Sequence, residues 1–344
     1  MTKNVLITGG AGFIGSHTCV VLMEQGYRLV VLDNFDNSCP EALRRVQELA
    51  GSSQLTLVKG DVRDPSAVDQ AFHAAGAVDG VIHFAGLKAV GESVQHPLRY
   101  WDVNVNGSRV LAAAMEAHGC RTLVFSSTST SYGEPDTFPL REEMPTAPVH
   151  PYAQTKVAVE QMLSALSRSG PWRVASLRYF NPVGAHPSGQ IGEDPMGIPN
   201  NLFPFITQVA AGRREQLRIF GQDYPTPDGT GIRDYLHVMD LAEAHGRALE
   251  HLLQQPNPYS LTLNIGTGRG LSVLEVVQGF EAATGLTIPY EVVGRRAGDV
   301  PRLEACPRKA QELLGWSARR TLEGMCRDGW AWQQANPFGY RGPG

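Results

Sequence analysis

Cysteine is scarce in this chain: five in 344 residues, at Cys19, Cys39, Cys120, Cys306 and Cys326. The number is odd, the positions are scattered, and no pair has zinc or C-x-x-C spacing. A disulfide framework and a cysteine-built metal site are both disfavoured; reduced thiols in a cytoplasmic protein are the economical reading, and no metal is expected. Excess positive charge is missing as well. The formal net charge is -4, so nothing global draws the chain to nucleic acid or to an anionic membrane, and an anionic ligand must meet a local cluster of cations. No apolar run approaches the length of a membrane span. The opening "MTKNVLITGG" enters a strand pattern almost at once, without a signal-peptide layout. Internal repeats and low-complexity tracts are absent too. What remains is an ordinary globular balance, 42% hydrophobic and 19% charged, long enough for about two domains.

The first half alternates short β-rich runs with helical patterns. Strands are predicted at 4–8, 28–32, 55–59, 81–84, 122–127 and 174–180, and helices near 13–25, 64–75, 97–118 and 152–168. Several strands are continuous apolar runs, as expected when both sheet faces are covered. The alternation implies an α/β fold with a Rossmann-type, doubly wound parallel sheet. After residue 180 the texture changes. "NPVGAHPSGQIGEDPMGIPNN" is rich in glycine, proline and polar residues and is too long for a routine connection. Helices return near 202–212, 239–253, 272–284 and 307–314, with a strand at 261–266. The division expected is a dinucleotide domain, 1–180, and a smaller C-terminal α/β lobe, 181–344, from which some segments return to the first domain.

"VLITGGAGFIGSH" follows the first strand and opens the first helix. Gly10, Gly12 and Gly15 satisfy G-x-G-x-x-G, and Gly9, Gly12 and Gly15 satisfy G-x-x-G-x-x-G. Such glycines permit a tight turn and a close approach of backbone to a pyrophosphate, which the helix N-terminus then faces. The second strand ends at Asp33, eighteen residues beyond Gly15. A carboxylate there suits a ribose 2′-hydroxyl and repels a 2′-phosphate, so NAD is the expected cofactor.

Two further stretches carry chemistry. "FSSTSTSYG" closes a strand with a run of hydroxyls that includes Ser126 and Thr128, and "HPYAQTKVAVEQ" sets Tyr152 and Lys156 four apart at a helix start. Residues at that spacing are neighbours on one helix face. Ligands of a parallel α/β sheet bind beyond the carboxyl ends of its strands, so hydroxyls, phenol and cofactor are expected to share one crevice. A phenol titrates near ~10, too high for a base at neutral pH. An adjacent ammonium, with the positive nicotinamide, is expected to lower it. Tyr152 would then take a proton from a substrate alcohol whose carbon gives a hydride to NAD⁺.

The glycine motif, Y-x-x-x-K and "HFAGLKAVGESV" between them resemble the extended short-chain dehydrogenase/reductase family. "LRYFNPVGAHPSGQIGEDPMGIPNNL", "IFGQDYPTPDGTGIRDYLHVMDLA" and "RRAGDVP" are similar to the sugar-nucleotide epimerases within it, over nearly the whole chain. The resemblance implies a UDP-hexose substrate, exchanged between its glucose and galactose forms by transient oxidation at C4 with tightly held NAD and no net redox. It assigns Tyr152 as acid/base, Lys156 as its tuner and Thr128, where many members carry serine, as the hydroxyl partner. It assigns cofactor contacts to Gly9, Gly12, Phe13, Ile14, Gly15, Asp33, Asn34, Asp61, Val62, Phe84, Ala85, Gly86, Lys88, Asn104, Ser126, Tyr152, Lys156 and Tyr179. Substrate contacts fall to Thr128, Asn181, Asn201, Leu202, Arg233, Tyr235, Arg296, Asp299 and Leu303. Arg233 and Arg296 are the local cations an anionic substrate needs.

Leu303 aligns with a wall position where bacterial members carry tyrosine, and a smaller residue there implies that N-acetylated UDP-hexoses are also accepted. The resemblance further implies a homodimer built on the helices at 97–118 and 152–168. Two rivals remain open at this point. A 4,6-dehydratase on the same fold would need an acid pair beside Thr128, where the chain has Ser129 and Thr130. A non-catalytic NAD-sensing regulator would not need Tyr152 and Lys156.

Overall fold

Apolar runs become buried strands, and the glycine, proline and short polar residues between them become the turns. The computed structural model describes residues 2–199, 201–296 and 299–342. Its first half runs β1 (Asn4–Thr8), α1 (Phe13–Glu24), β2 (Arg28–Asp33), α2 (Pro40–Leu49), β3 (Leu55–Lys59), α3 (Pro65–Ala75) and β4 (Gly80–His83). Then come α4 (Val90–Gln95), α5 (Pro97–Tyr100), a π-helical turn (Trp101–Asn106), α6 (Gly107–Ala117), β5 (Thr122–Thr128), α7 (Pro151–Ser169) and β6 (Arg173–Tyr179). The second half runs β7 (Asn181–Val183), α8 (Leu202–Ala210), β8 (Leu217–Phe220), β9 (Ile232–His237), α9 (Val238–Gln254) and β10 (Tyr259–Ile265). It ends with β11 (Gly270–Ser272), α10 (Val273–Thr284), β12 (Tyr290–Val293), β13 (Arg302–Leu303), α11 (Arg308–Leu314) and α12 (Leu322–Ala335).

Seven strands form one sheet in the order β10-β6-β5-β4-β1-β2-β3, every neighbouring pair parallel. The order reverses between β1 and β4, so this is a doubly wound sheet with its switch point where the glycine loop leaves β1. Both faces are covered: one core gathers α1, α9 and the sheet around Leu22, Val31, Leu241 and Leu263, the other gathers α3, α6 and α7 around Phe72, Leu111, Phe125 and Leu163. A smaller sheet of β11, β9, β13 and β7 carries the remaining lobe, with Phe203, Phe280 and Met325 in its core.

Local chemistry fixes the helix starts. Asp64 caps α3 by accepting from Ser66 N, with Pro65 in the first turn; Ser272 and Glu275 form a reciprocal capping box on α10; and Pro151 opens α7.

The structure sharpens the sequence reading at several points. The helix expected at 97–118 is broken by the π turn, which brings Asn104 inward to full burial; π turns of this kind are frequent at functional sites. The strand near 261–266 is β10, and it joins the first sheet beside β6, as expected of a segment that returns to the first domain. The long segment after residue 180 contains β7, which pairs with β9. Strand β9 has no apolar run to announce it: "IRDYLH" sets Arg233 and Asp234 side by side, and Asp234 is buried, accepting from Thr267 N, Gly268 N and Ala305 N. No helix among the described residues is long and apolar enough to cross a membrane.

Candidate active site

The glycine loop is a backbone cradle. Gly9 has φ +71°, and a Cβ there would lie 2.6 Å from Ala85 N. At Gly15 a Cβ would lie 2.4 Å from Gly9 O, so α1 can approach the loop only without one. At Gly12, the N-cap of α1, a Cβ would meet only Gly9 O at 3.3 Å. The first turn of α1 (Phe13, Ile14, Gly15) has no acidic residue and no side-chain cap, so its N–H groups are aimed outward for an anion. Asp33, buried at the end of β2, accepts from Ala11 N (2.9 Å), Phe35 N (2.9 Å) and Ser38 Oγ (2.8 Å). It therefore ties the glycine loop to the loop after β2, and a carboxylate's four acceptor positions leave one for a ribose hydroxyl. Asn34 donates to Asp61 (2.9 Å), which Arg63 also engages, and these bonds hold the Asp61 carboxyl well below the usual range. Val62 is buried beneath. The donor set, the cradle and the helix terminus fit a dinucleotide.

The segment after β4 carries Phe84, Ala85 and Gly86. Phe84 packs on His245. A Cβ on Gly86 would lie 3.0 Å from Asn104 Oδ1 and 3.7 Å from Lys156 Nζ, which brings three predicted residues to one point. Asn104 closes a buried polar chain. Its Oδ1 accepts from Leu87 N (2.8 Å), and its Nδ2 donates to Leu87 O (3.1 Å) and Thr155 Oγ1 (3.0 Å). Thr155 in turn donates to Tyr152 O (2.7 Å).

Tyr152, the second residue of α7, stacks on His150 and faces Thr128 at the end of β5. Burial pushes the phenol pKa up, and the hydrogen bond with Thr128 opposes that shift. Lys156 is buried; its Nζ donates to Ser126 O (2.8 Å) and lies 5.0 Å from the Phe125 ring centre. Burial lowers its pKa to about 8, with the Glu160 carboxylate acting the other way. Burial is the larger influence on both groups. Tyr179 and Ser126 share a hydrogen bond, and burial raises the Tyr179 phenol strongly.

A second group gathers on the smaller sheet. Arg296 makes a two-pronged pair with Asp299 (3.0 and 3.2 Å), and Arg233 Nη2 reaches the same carboxylate at 3.7 Å. Tyr235 is buried opposite Asn181 in register, and Leu303 sits opposite Arg233. Leu303 is buried with Tyr132, Phe180 and Val300. Ala297 and Gly298 of "RRAGDVP" lie outside the described residues, as does Asn200. Asn201, which precedes Leu202 at the start of α8, and Lys88 both donate to Glu193 Oε1 at 3.1 Å. One carboxylate thus joins a predicted cofactor residue to a predicted substrate residue. Among the described residues no hydrogen bond links the arginine group to Tyr152.

Sequence reasoning passed over Glu193 and the pair Glu160–Arg178. Arg178 is a charge inside the apolar strand "VASLRYF", which is itself a signal. It forms a buried salt bridge with Glu160, one helical turn beyond Lys156. A further cluster, Asp69, His73 and His118, has ligand atoms within 4.8 Å of one another but is exposed and shares no residue with the site.

A doubly wound sheet with a glycine cradle at its switch point, and a tyrosine, lysine and hydroxyl at the carboxyl end of β5, defines a dinucleotide-dependent enzyme that acts on an alcohol carbon. Residues 5–266 match the model of the NAD dependent epimerase/dehydratase family. The chain belongs to this family. It is 54% identical over 338 residues to UDP-glucose 4-epimerase of Bacillus subtilis, covering 98% of each chain. It is 52% identical to the mouse enzyme of the same name, covering 98% of this chain and 99% of that one. A solved UDP-glucose 4-epimerase of Stenotrophomonas maltophila, with bound NAD and formylated UDP-arabinopyranose, superposes with a TM-score of 0.94 at 48% identity, covering 97% and 98% of the two chains. The UDP-Glc/GlcNAc 4-epimerase of Campylobacter jejuni superposes at 0.82 with 34% identity, covering 97% and 99%.

Proposed function

We propose that the chain interconverts UDP-glucose and UDP-galactose by reversible oxidation at C4. The observation that carries the reading is the meeting of Tyr152, Thr128 and Lys156 beside the glycine cradle, together with identity above half to relatives of that name. When bound, NAD⁺ supplies a hydride acceptor and, once reduced, a hydride donor. Tyr152 Oη takes the proton of the C4 hydroxyl and later returns it, Thr128 holds the same oxygen, and Lys156 keeps a positive charge beside the phenolate. The cation of the nicotinamide is the further charge needed to bring the phenol down, since burial raises it in the protein alone. Arg233 and Arg296, braced by Asp299, offer planar forks to the pyrophosphate. The 4-keto sugar turns over within the site, and no net redox follows. The rivals lose ground: the residues that follow Thr128 in the chain are Ser129 and Thr130, with no acid pair for elimination, and a sensor has no use for a phenol–ammonium pair. Tyr152→Phe tests the reading. Turnover falls by about 10² or more, the usual contribution of a positioned acid/base, while NAD binding is retained; unchanged turnover refutes it.

Three finer readings belong with it. We read Leu303, buried beside Phe180 and Tyr132, as a sugar-wall residue smaller than tyrosine, so that N-acetylated UDP-hexoses are also accepted. The exposed apolar stripe Val94, Leu98 and Trp101, with Leu98 82% exposed, supports a homodimer on this face, which light scattering of the purified chain tests directly. Five unpaired cysteines, three of them buried, suit a reducing cytoplasm.

A further inference from the structure

We propose that the C-terminal turn Gly339–Arg341 is a strap that retains the dinucleotide, with Tyr340 as its anchor and Arg341 as its charge. The inference rests on the NAD reading above. Tyr340 is pinned to the loop that follows β7. Its N donates to Asp194 Oδ2 (3.0 Å), and its hydroxyl accepts from Gly192 N (3.0 Å) and lies 3.2 Å from Gly192 O. Its ring packs on Trp332 (4.6 Å between centres), and the Arg45 guanidinium lies 5.3 Å above it. The approach is specific: Gly339 has φ +74°, and a Cβ there would sit 2.0 Å from Asp194 Oδ1. Only glycine lets the tail lie down on this loop.

Beyond that anchor, Arg341 Nη2 donates to Ser38 O (3.2 Å), in the loop that Asp33 ties to the glycine loop. Tyr340 and Arg341 line one cleft with Gly12, Phe13, Ser38 and Asp194. The tail therefore crosses from the 189–194 loop to the cofactor loops, and Arg341 shares a cleft with the uncapped start of α1 and the Asp194 carboxylate. Helix terminus and guanidinium attract the same pyrophosphate. Release of a dinucleotide past this face then requires Arg341 to part from Ser38 and the turn to lift.

The test is dissociation of bound NADH, followed by its fluorescence after a chase with excess NAD⁺. It compares the parent chain, Arg341→Ala and a form ending at Phe338. Arg341→Ala releases NADH about tenfold faster, the order expected for one lost charge-assisted hydrogen bond. Its salt dependence is weaker, and its cofactor-free melting temperature is unchanged because Arg341 is exposed. The shortened form releases faster still. Parent-like dissociation in both variants overturns the strap. Fast release from the shortened form with parent-like release from Arg341→Ala overturns the charge assigned to Arg341. A parent chain that binds no NADH overturns the underlying cofactor reading instead, and the strap with it.

Discussion

Replacing Lys156 with methionine should make the cofactor-free protein more stable while abolishing turnover. Burial holds Lys156 at about 8 instead of 10.5. At ~1.4 kcal/mol per pH unit, keeping that ammonium charged costs the fold ~3 kcal/mol at neutral pH. Methionine fills a comparable volume without charge. It forfeits the hydrogen bond from a charged ammonium to Ser126 O, about 1.5–3 kcal/mol, so the net gain is at most ~1.5 kcal/mol. With an unfolding entropy of ~2 cal/mol/K per residue, that is at most ~2 °C in Tm. The pH dependence has a definite sign. Below about 8 the lysine is protonated in both states and the full cost is present. Between 8 and 10.5 the unfolded chain holds a proton that the folded chain has released, so the parent gains stability as pH rises. Lys156→Met has no such gain from this position, and the gap between the two closes across that window. Calorimetry of NAD-stripped protein at pH 7 and pH 9.5 reads it. A variant less stable than the parent at pH 7, or a gap that does not change with pH, refutes the burial argument.

Other substitutions probe the remaining parts of the site. Gly9→Ala combines a left-handed backbone with a Cβ 2.6 Å from Ala85 N; it should cost about 1–3 kcal/mol in Tm measurements and weaken NAD binding, because the strand-end segments on both sides of the cradle must move apart. Leu303→Tyr fills the wall beside Phe180; turnover of UDP-N-acetylglucosamine should fall by at least about tenfold relative to UDP-glucose, since overpacking typically costs 1–3 kcal/mol, and equal loss on both sugars would detach Leu303 from specificity. Asp33→Asn should leave Ala11 N and Ser38 Oγ poorly held and loosen NAD, read as a higher Kd by titration, with a loss of about 1–3 kcal/mol for hydrogen bonds to a charged group.

Much of the cofactor side was legible because its signals are local. Strand β1, the glycines and α1 are contiguous, and Asp33 stands where β2 must end. Tyr152 and Lys156 were legible for the same reason, being one helical turn apart. The smaller sheet was not: β9 unites Asn181, Arg233 and Leu303 through pairings across 50 to 70 residues that no periodicity encodes. Asn104 was assigned only by resemblance, since its inward turn depends on a π turn that the sequence does not announce. Burial of the Tyr152 phenol, which raises it in the protein alone, was not legible because it depends on tertiary packing. Glu193 was passed over because its partners, Lys88 and Asn201, lie far from it in one case and across the long loop in the other.

The most direct measurement mixes the purified chain with UDP-galactose, adds no cofactor, and follows UDP-glucose. The account predicts conversion to equilibrium with no net change in nicotinamide absorbance, because each oxidation is followed by its own reduction on retained NAD. No conversion, with NAD withheld or supplied, would contradict it.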